Sequence, residues 1–495
     1  MILGIRFLLH SSKACAFFHG SSANWALALS SPLGSLQSEV ETKISDLDVI
    51  VAKLRLASSY EDVVNFLSND QQCDSVQLNH NLVDGLLRRF KDDWKSALGV
   101  FRWAEFQLGY QHSSDACEMI LDILGKMKQM EKMMALLEEM GSKGVISLSA
   151  VAKVMRRFAG AGKWEDSVRV FDNVESYGLK KNTESMNLLL DTLCKASKVE
   201  QARAIFLQLK PHILPNAHTF NIFVHGWCKI NRVEEAHWTI QEMKGQACRP
   251  CVITYSTIVK FYCHHNDFDK VYEVFDEMQD EGCPPNIVTY TTVMSYMTKA
   301  EKFEEALQVA ERMKLDGCKP DTLFYNSLIH TFGRTGRVRE AIDVFKVEMV
   351  KNNVPPNTST YNTMIAMFCH HDQEQKALKI LEELKNSGVC KPDVQTYYPL
   401  LKSCFRSGKT DDTSSELLDD MVNNQHLSFD LATYTLLIHG LCRTSKCQEA
   451  YLLFEKMIGQ GITPRYKTCR LLYEEVKEKQ IYDAAEKVED LMKKM

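Results

Sequence analysis

Residues 325–341 read Tyr325-Asn326-Ser327-Leu328-Ile329-His330-Thr331-Phe332-Gly333-Arg334-Thr335-Gly336-Arg337-Val338-Arg339-Glu340-Ala341. Apolar side chains recur here at the three- and four-residue spacing of an amphipathic helix, and a Gly interrupts the pattern before a second helix begins. Similar stretches surround Tyr290, Tyr361 and Tyr434, at one or two intervals of about 35 residues. The stretch is therefore one copy of a repeat, and a period of this length predicts an array of helical hairpins.

Ten units can be aligned on these tyrosines and on the Gly-x-x-Pro type of sequence that closes many of them. They are 114–147, 148–182, 183–216, 217–251, 252–286, 287–321, 322–357, 358–393, 394–430 and 431–465. We number positions within a unit from one, so that Ala217 is position 1 of unit 217–251. Positions 4, 7, 8 and 11 then share the apolar face of a first helix. A Gly or polar residue near position 15 separates it from a second helix, which carries Ala at position 20 in six units.

This pattern predicts an all-α fold, a right-handed α-solenoid of stacked helical hairpins. We expect residues 39–113 to form a helical lead-in that includes a partly degenerate repeat. Residues 114–465 are the ten repeats, and residues 466–495 are expected to be a truncated repeat that caps the array. Gly and Pro together account for only 35 of the 495 residues, which agrees with a mostly helical chain.

Composition excludes several classes of protein. The net charge of −5 argues against a uniformly basic protein that coats nucleic acid. No apolar run reaches the length of a membrane-spanning helix. The 16 Cys are too sparse for a disulfide scaffold. Nine of them recur at position 12 or before the closing Pro of a unit, which predicts small buried thiols in a reduced compartment.

The amino terminus resembles an organelle leader. Residues 1–38 contain no Asp or Glu but eight Ser, with Arg6 and Lys13 as the basic residues. An acid-poor, Ser-rich, amphipathic segment is typical of a transit peptide, although a secretory leader or a disordered segment is also compatible with so few basic residues. We expect a protein of the mitochondrial matrix, with the plastid as the alternative.

The repeats resemble the pentatricopeptide repeat. Its pattern of Tyr-Asn-x-Leu-Ile, a turn followed by Val-Glu-Glu-Ala, and Met-x-x-x-Gly-x-x-Pro-Asp is nearly complete in residues 325–341, and Gly317-Cys318-Lys319-Pro320-Asp321 is a closing sequence of this kind. The similarity is strongest over 183–393 and 431–465. The stretch from Trp94 to Tyr110 is similar to the lead-in of plant organellar members. The alternative is the tetratricopeptide repeat, a protein-binding array whose Trp-x-x-Leu-Gly signature these units lack.

A column of cations occupies position 13, at the end of the first helix and opposite the core. Nine of the ten units have Lys, Arg or His there, and none has an acid. Cations near a helix carboxy-terminus are favourable in any protein, but a column repeated along a stack can neutralise a polyphosphate strand. The residues predicted to contact phosphate are Lys195, Lys229, Lys299, Arg334, Arg406 and Arg443.

The resemblance implies that position 5 and the last residue of each unit read one RNA base, with position 2 clamping bases. The implied readout pairs are Asn187 with Asn216, Asn221 with Cys251, Ser256 with Asn286, Thr291 with Asp321, Asn326 with Asn357, and Asn362 with Asp393. By the family's code, units 183–393 read pyrimidine, an uncertain base, A, G, pyrimidine and U. The pairs Ala152 with Asn182, Tyr398 with Asp430, and Thr435 with Arg465 depart from the code. A polar surface role for the position-5 residues is the simpler alternative.

Apolar position-2 side chains are the candidates for base clamping. Ile253, Val288 and Leu323 occupy this position on an otherwise polar helix face. They could contact the faces of bases, or equally could fill gaps between neighbouring units.

No catalytic, metal or cofactor site is expected. Cys248-Arg249-Pro250-Cys251 lacks the second pair of ligands that a zinc site needs, and no His-x-Glu of a zinc deaminase occurs. We therefore expect a non-enzymatic, sequence-specific binder of single-stranded organellar RNA that acts in transcript processing, stabilisation, splicing or translation, with possible protein partners in RNA maturation. A membrane or a small-molecule substrate is not expected. The alternative function is a protein-binding helical scaffold of an organellar complex.

Overall fold

The computed structural model describes residues 54, 58–69, 78–107, 109–388, 390–407, 413–425 and 427–494. These described residues form helices and no strand. The expected leader, residues 1–38, lies outside them. Ahead of the first unit they form α1 (Tyr60–Asn69), α2 (His80–Arg89) and α3 (Trp94–Glu105).

The units follow as successive pairs of helices. In chain order these are α4 (Ser114–Lys126), α5 (Met130–Ser142), α6 (Leu148–Gly160), α7 (Trp164–Asp172), α8 (Thr183–Lys195), α9 (Val199–Leu209), α10 (Ala217–Lys229), α11 (Val233–Gly245), α12 (Val252–His264), α13 (Phe268–Asp280), α14 (Ile287–Lys299), α15 (Phe303–Leu315), α16 (Thr322–Arg334), α17 (Val338–Asp343), α18 (Met349–Lys351), α19 (Thr358–His370), α20 (Glu374–Asn386), α21 (Val394–Ser407), α22 (Thr413–Asp419), α23 (Leu431–Arg443), α24 (Cys447–Gly459), α25 (Tyr466–Glu478) and α26 (Tyr482–Lys494). The prediction of an all-α fold of helical hairpins is confirmed.

Capping residues decide where the first helix of each unit begins. It begins at position 1 in every unit, so the last residue of the preceding unit is its N-cap. Asn216, for example, accepts a hydrogen bond from the backbone N–H of Thr219, and the Thr219 hydroxyl accepts one from the backbone N–H of Asn216. This reciprocal pair satisfies two donors that the helix end would otherwise leave open.

A left-handed residue at position 15 ends the first helix and turns the chain into the second. Every described residue at this position has a positive φ, from 55° at Asn266 to 82° at Gly162. The backbone N–H groups of positions 15 and 16 then donate to carbonyls at the end of the first helix. Asn231 and Arg232, for example, donate to the carbonyls of Cys228 and Trp227, as in a helix closed by a left-handed cap. Most units have a second left-handed residue at position 31, near their end. It is usually Gly, such as Gly317 at φ 72°. These two turns set the hairpin period.

Three units are longer than 35 residues, 322–357, 358–393 and 394–430, and in the first and the last of them a π turn follows an α-helical part of the second helix. The π turns are Val344–Glu348, between α17 and α18, and Asp420–Asn424, directly after α22. A single-residue insertion widens one helical turn in this way without displacing the core face. The register of the following unit is therefore preserved.

From unit 217–251 onward, the core of each unit is built on an aromatic residue at position 4. Tyr255, Tyr290, Tyr325, Tyr397 and Tyr434 are fully buried, and each hydroxyl is hydrogen-bonded to a polar side chain of the second helix or its end. The hydroxyl of Tyr434, for instance, donates to Oε1 of Gln460 over 3.0 Å. Buried Ala at position 20 allows the two helices to pack closely. The aromatic ring thus supplies apolar area and its hydroxyl joins the two helices of the hairpin.

The described helices divide into two compact bodies. The N-terminal body comprises the described residues up to Pro284, and the C-terminal body comprises those from Pro285 onward. Within each body, first helices of successive units pack on one another. The lead-in helix α3 belongs to the N-terminal body, where Arg102 forms a two-bond ion pair with Glu139 of α5, at 2.8 and 2.5 Å.

Candidate nucleic-acid interface

In the C-terminal body, positions 2, 5 and 13 and the last residue of a unit meet in one open groove of about 550 Å³. It contains the readout pair Asn362 and Asp393 together with Arg334 and His370 from position 13. The rest of its lining is His330, Gly333, Ser359, Thr363, Ala366, Met367, Gln395 and Pro399. A polar pair that lies beside a cation is the combination that base and phosphate recognition requires.

The N-terminal body has a groove of the same construction, of about 760 Å³. It contains the readout pair Asn187 and Asn216 and the position-13 cation Lys195. Its other lining residues are Asn182, Thr183, Glu184, Leu188, Asp191 and His218. Two bodies therefore present the same arrangement, which follows from the helical arithmetic that places positions 2, 5, 9 and 13 on one face.

The last-residue column has a structural role in addition to the expected one. Side chains at this position cap the following first helix by accepting a hydrogen bond from the backbone N–H three residues on; they are Asn182, Asn216, Asn286, Asp321, Asn357, Asp393 and Asp430. Capping uses one oxygen and leaves the other polar group of each side chain at the surface. An Asn or Asp three residues before Thr or Ser is a sequence signal of such a cap, and it could have been read without the structure.

Two of the predicted readout pairs are joined by a direct hydrogen bond. Nδ2 of Asn187 donates to Oδ1 of Asn216 over 3.2 Å, and Nδ2 of Asn362 donates to Oδ1 of Asp393 over 3.0 Å. Asn187 is only 5% exposed, so its amide is held among neighbours rather than free in solvent. A side chain with a fixed orientation is suited to selecting a ligand, and a simple surface role does not explain its burial.

The other pairs are placed differently. Thr254 connects Asn221 and Cys251, because its hydroxyl donates to Oδ1 of Asn221 over 2.7 Å and lies 3.6 Å from Sγ of Cys251. Asn326, 8% exposed, has its oxygen buried without a hydrogen-bond partner, as does Thr291. Ser256 is partly exposed and belongs to the N-terminal body, whereas its partner Asn286 caps α14 of the C-terminal body.

The apolar side chains at position 2 point to solvent. Ile253 is 69%, Val288 57% and Leu323 59% exposed. Side chains that filled gaps between units would be buried, so the exposure favours the clamping interpretation. Each keeps a flat apolar surface in water on the helix face that carries the readout positions.

The position-13 cations are exposed, and several have carboxylate neighbours. Lys195 forms an ion pair with Asp191 at 2.7 Å, Arg334 with Glu301 at 3.3 Å, and Arg406 with Asp372 at 2.6 Å. The ammonium of Lys229 donates to the carbonyl of Lys195, that of Lys299 lies 5.4 Å from the Tyr296 ring centre, and Arg443 is exposed. Sequence reasoning missed these acids because Glu301 and Asp372 belong to the position-15 turn of the preceding unit. Exposed ion pairs contribute little free energy, so a phosphate can displace them.

The cations of this face also contribute to the lowered pKa values of two nearby histidines. Burial, followed by the charges of His371, Arg334 and Arg406, lowers the pKa of His370. The pKa of His330 is also lowered, by burial and then by Arg334 and Lys299. Consecutive position-13 cations in the C-terminal body therefore act on the same side chains, which makes them one electrostatic surface.

Units that depart from the readout pattern also differ in structure. Ala152 is buried and has no polar group. The hydroxyl of Thr435 bonds to the carbonyl of Leu431 in its own helix, and Arg465 forms no side-chain cap. Tyr398 is partly exposed beside Pro399, which lies inside α21. None of the three position-5 side chains is an amide, and among the last residues Arg465 forms no cap, whereas Asn182 and Asp430 do.

The cysteines are packing residues. Burial raises the pKa of each position-12 thiol to about 12; these are Cys194, Cys228, Cys263, Cys369 and Cys442. Across the described ranges, no group of three or more His, Cys, Asp or Glu side chains is arranged to hold a metal ion. None of the helices described is both long and apolar enough to cross a bilayer.

Comparison with protein families agrees with this geometry. Models of the PPR repeat family match residues 215–260, 250–295, 320–370 and 356–406; a pentatricopeptide repeat domain matches 273–335, and a PPR repeat matches 118–145 and 432–462. A mitochondrial pentatricopeptide repeat-containing protein of Arabidopsis thaliana is 54% identical over 483 residues, which cover 98% of this chain and 95% of that protein. The chain belongs to the pentatricopeptide repeat family.

Further similarities concern location and fold. A second mitochondrial pentatricopeptide repeat-containing protein of Arabidopsis thaliana is 46% identical over 92% of this chain and 81% of its own length. The prediction of a mitochondrial protein is confirmed by the names of both relatives. The crystal structure of the pentatricopeptide repeat protein PPR10 in complex with an 18-nt psaJ RNA element matches with a TM-score of 0.52 at 18% identity, over 94% of this chain and 77% of that one. This match confirms the pentatricopeptide solenoid fold.

Proposed function

We propose that this pentatricopeptide repeat protein binds single-stranded RNA in mitochondria, one base per repeat, and acts without catalysis on transcript processing, stabilisation, splicing or translation. The observation that carries the proposal is the groove found in both bodies, where a hydrogen-bonded polar pair lies beside exposed cations. Two mitochondrial relatives of high identity and an RNA-bound neighbour of the same fold support it.

The chemistry of the last residue gives each groove a base preference. Oδ1 of Asp393 accepts the cap bond from Thr396, which leaves Oδ2 as an acceptor for the N3–H group of uracil. Asn216 caps in the same way, and its remaining group is an NH2 donor, which suits the N3 acceptor of cytosine. A carboxylate at this position thus favours uracil, and an amide favours cytosine, because N3 is a donor in uracil and an acceptor in cytosine.

The cations supply affinity that is independent of base. Lys195, Lys229, Lys299, Arg334, Arg406 and Arg443 are all exposed at the ends of first helices. Phosphate groups of a bound strand would replace the present carboxylate partners of Lys195, Arg334 and Arg406, and binding would release counterions. Ile253, Val288 and Leu323 would contact the faces of consecutive bases.

The proposal is tested by binding of the full chain to RNA that carries pyrimidine, any base, A, G, pyrimidine and U in series. We expect this RNA to bind more tightly than a scrambled RNA of the same composition, and Asn286→Asp to shift the preference of its unit from A toward G. Equal affinity for both RNAs would contradict coded readout. Absence of RNA from the protein purified from mitochondria, with a stable protein partner in its place, would favour the scaffold function.

A further inference from the structure

A threonine at position 3 of the following unit contacts the position-5 Asn in three places. The hydroxyl of Thr219 lies 2.7 Å from Oδ1 of Asn187, and that of Thr254 lies 2.7 Å from Oδ1 of Asn221. In the C-terminal body the hydroxyl of Thr396 lies 2.6 Å from Oδ1 of Asn362. The same contact occurs in both bodies, so it is a property of the repeat and not of one location.

The direction of these hydrogen bonds is determined by the donors available. The backbone N–H of the N-cap residue donates to each Thr oxygen, at 3.1 Å from Asn216, 3.2 Å from Cys251 and 3.0 Å from Asp393. Each hydroxyl has a single hydrogen, and the contact of 2.6 or 2.7 Å with the Asn side chain is the shortest available to it. The N-cap oxygens of Asn216 and Asp393 lie farther from the Thr219 and Thr396 hydroxyls, at 3.2 and 3.0 Å. The Asn atom that accepts the hydrogen must be the amide oxygen, because the NH2 group has no acceptor site.

The amide therefore has one orientation, with its oxygen toward the threonine and its NH2 toward the readout partner. In the two pairs with a direct bond, that NH2 donates one hydrogen to Asn216 or Asp393 and has a second hydrogen left over. In the opposite orientation an oxygen would face Oδ1 of Asp393, and two acceptors would be in contact.

We propose that Thr219, Thr254 and Thr396 are positioning residues that set the hydrogen-bond polarity of the preceding readout Asn. Each threonine holds the amide so that a donor, and not an acceptor, faces the base. The proposal rests on the proposed RNA function. It assigns part of the base specificity of a unit to a buried residue of the next unit, which has no contact with the base itself.

Thr360 provides the natural comparison, in the same body as Thr396. It accepts the backbone bond of its N-cap residue, Asn357, over 3.1 Å, as Thr396 does from Asp393. The hydroxyls of both threonines lie 3.0 Å from Oδ1 of their N-cap residues, Asn357 and Asp393, but Oδ1 of Asn326, the position-5 amide before Thr360, has no partner. Thr360 therefore has the capping contacts without the bond to a position-5 amide.

The test compares Thr396→Val with the matched control Thr360→Val in the full chain. Both changes remove one buried hydroxyl and one cap acceptor, so their effects on folding should be equal. We expect Thr396→Val to lower the preference for U over C at the base of unit 358–393 by about tenfold, which is one net hydrogen bond. Thr360→Val should change the preference at the base of the preceding unit, 322–357, by less than about twofold, and Thr396→Ser should retain the preference of the native chain.

Binding is measured with RNAs that differ only at the base in question, and affinity for an unrelated RNA is the control for cation contacts. An unchanged preference in Thr396→Val overturns the proposal and leaves the proposed function intact. If the native chain does not distinguish U from C at this position, coded readout by this unit fails, and the positioning role fails with it. If Thr396→Val does not fold, Thr219→Val gives the same test in the N-terminal body, with loss of pyrimidine preference expected at unit 183–216.

Discussion

The readout column and the cation column lie on the same helix face but are built in opposite ways. Asn187 and Asn362 are held by hydrogen bonds from a neighbouring threonine and to a capping residue. Lys195 and Arg406 are exposed and form ion pairs with Asp191 and Asp372 at the surface. The difference teaches that specificity depends on groups whose orientation is fixed, whereas affinity can come from exposed charges at the surface.

Neutralising the cation column should have the largest effect. In the triple variant Lys299→Gln, Arg334→Gln and Arg406→Gln, we expect affinity for every RNA to fall by at least about tenfold in low salt. The slope of log affinity against log salt should become shallower by roughly two, because three phosphate contacts are lost. Filter binding at several salt concentrations measures both.

The matched control removes three exposed lysines from second helices of the same body, Lys314, Lys346 and Lys379. It lowers net charge equally and should leave the salt slope near that of the native chain. If the two triple variants had the same slope, the phosphate role of position 13 would be wrong.

Removal of the apolar position-2 side chains should weaken binding less. The double variant Val288→Ser and Leu323→Ser should lose about fivefold in affinity for RNA, since base contact with an aliphatic side chain is worth less than aromatic stacking. Its thermal stability should not fall, because both side chains are exposed. Leu315→Ser changes an apolar side chain on α15 that is 86% exposed; this variant is the control and should bind normally.

Two substitutions at Asp393 separate its cap from its readout. Asp393→Ala should destabilise the protein by about 1 kcal/mol through loss of the N-cap. Asp393→Asn keeps the cap and should change stability by less than about 0.5 kcal/mol, while the base preference moves from U toward C. Urea denaturation and RNA binding measure the two effects. Equal destabilisation by both variants would show that capping does not explain the last-residue column.

Acidification should strengthen binding slightly. Burial and neighbouring cations lower the pKa of His370 and His330, so both are largely neutral at pH 7.5 in the free protein. A bound phosphate raises their pKa values and couples binding to proton uptake, so affinity should rise about twofold to threefold between pH 7.5 and 5.5. The free protein should lose stability over the same range, because the unfolded chain takes up these protons first.

The double variant His330→Gln and His370→Gln tests this coupling. Its RNA affinity should vary less with pH than that of the native chain, at the same ionic strength. A pH dependence equal to that of the native chain would place the titrating groups elsewhere.

The sequence by itself determined the repeat, its register and the face that each residue occupies. Apolar residues at positions 4, 7, 8 and 11 specify a helix side, and the turn residues specify where helices end, because both depend on local geometry. The sequence also shows that units 322–357 and 394–430 are longer than 35 residues. It does not show that each contains a π turn in its second helix, at Val344–Glu348 and Asp420–Asn424. Helix boundaries and core residues were therefore predictable.

Only the tertiary structure decided which side chains of different units meet. The contact of Thr396 with Asn362 and the ion pair of Arg406 with Asp372 both join residues about 34 apart, across the packed surface of two first helices. Their distances depend on how closely the helices stack, and no local rule sets that spacing. Sequence therefore identified the residues that face the groove, whereas packing decided which are fixed and which stay free to bind.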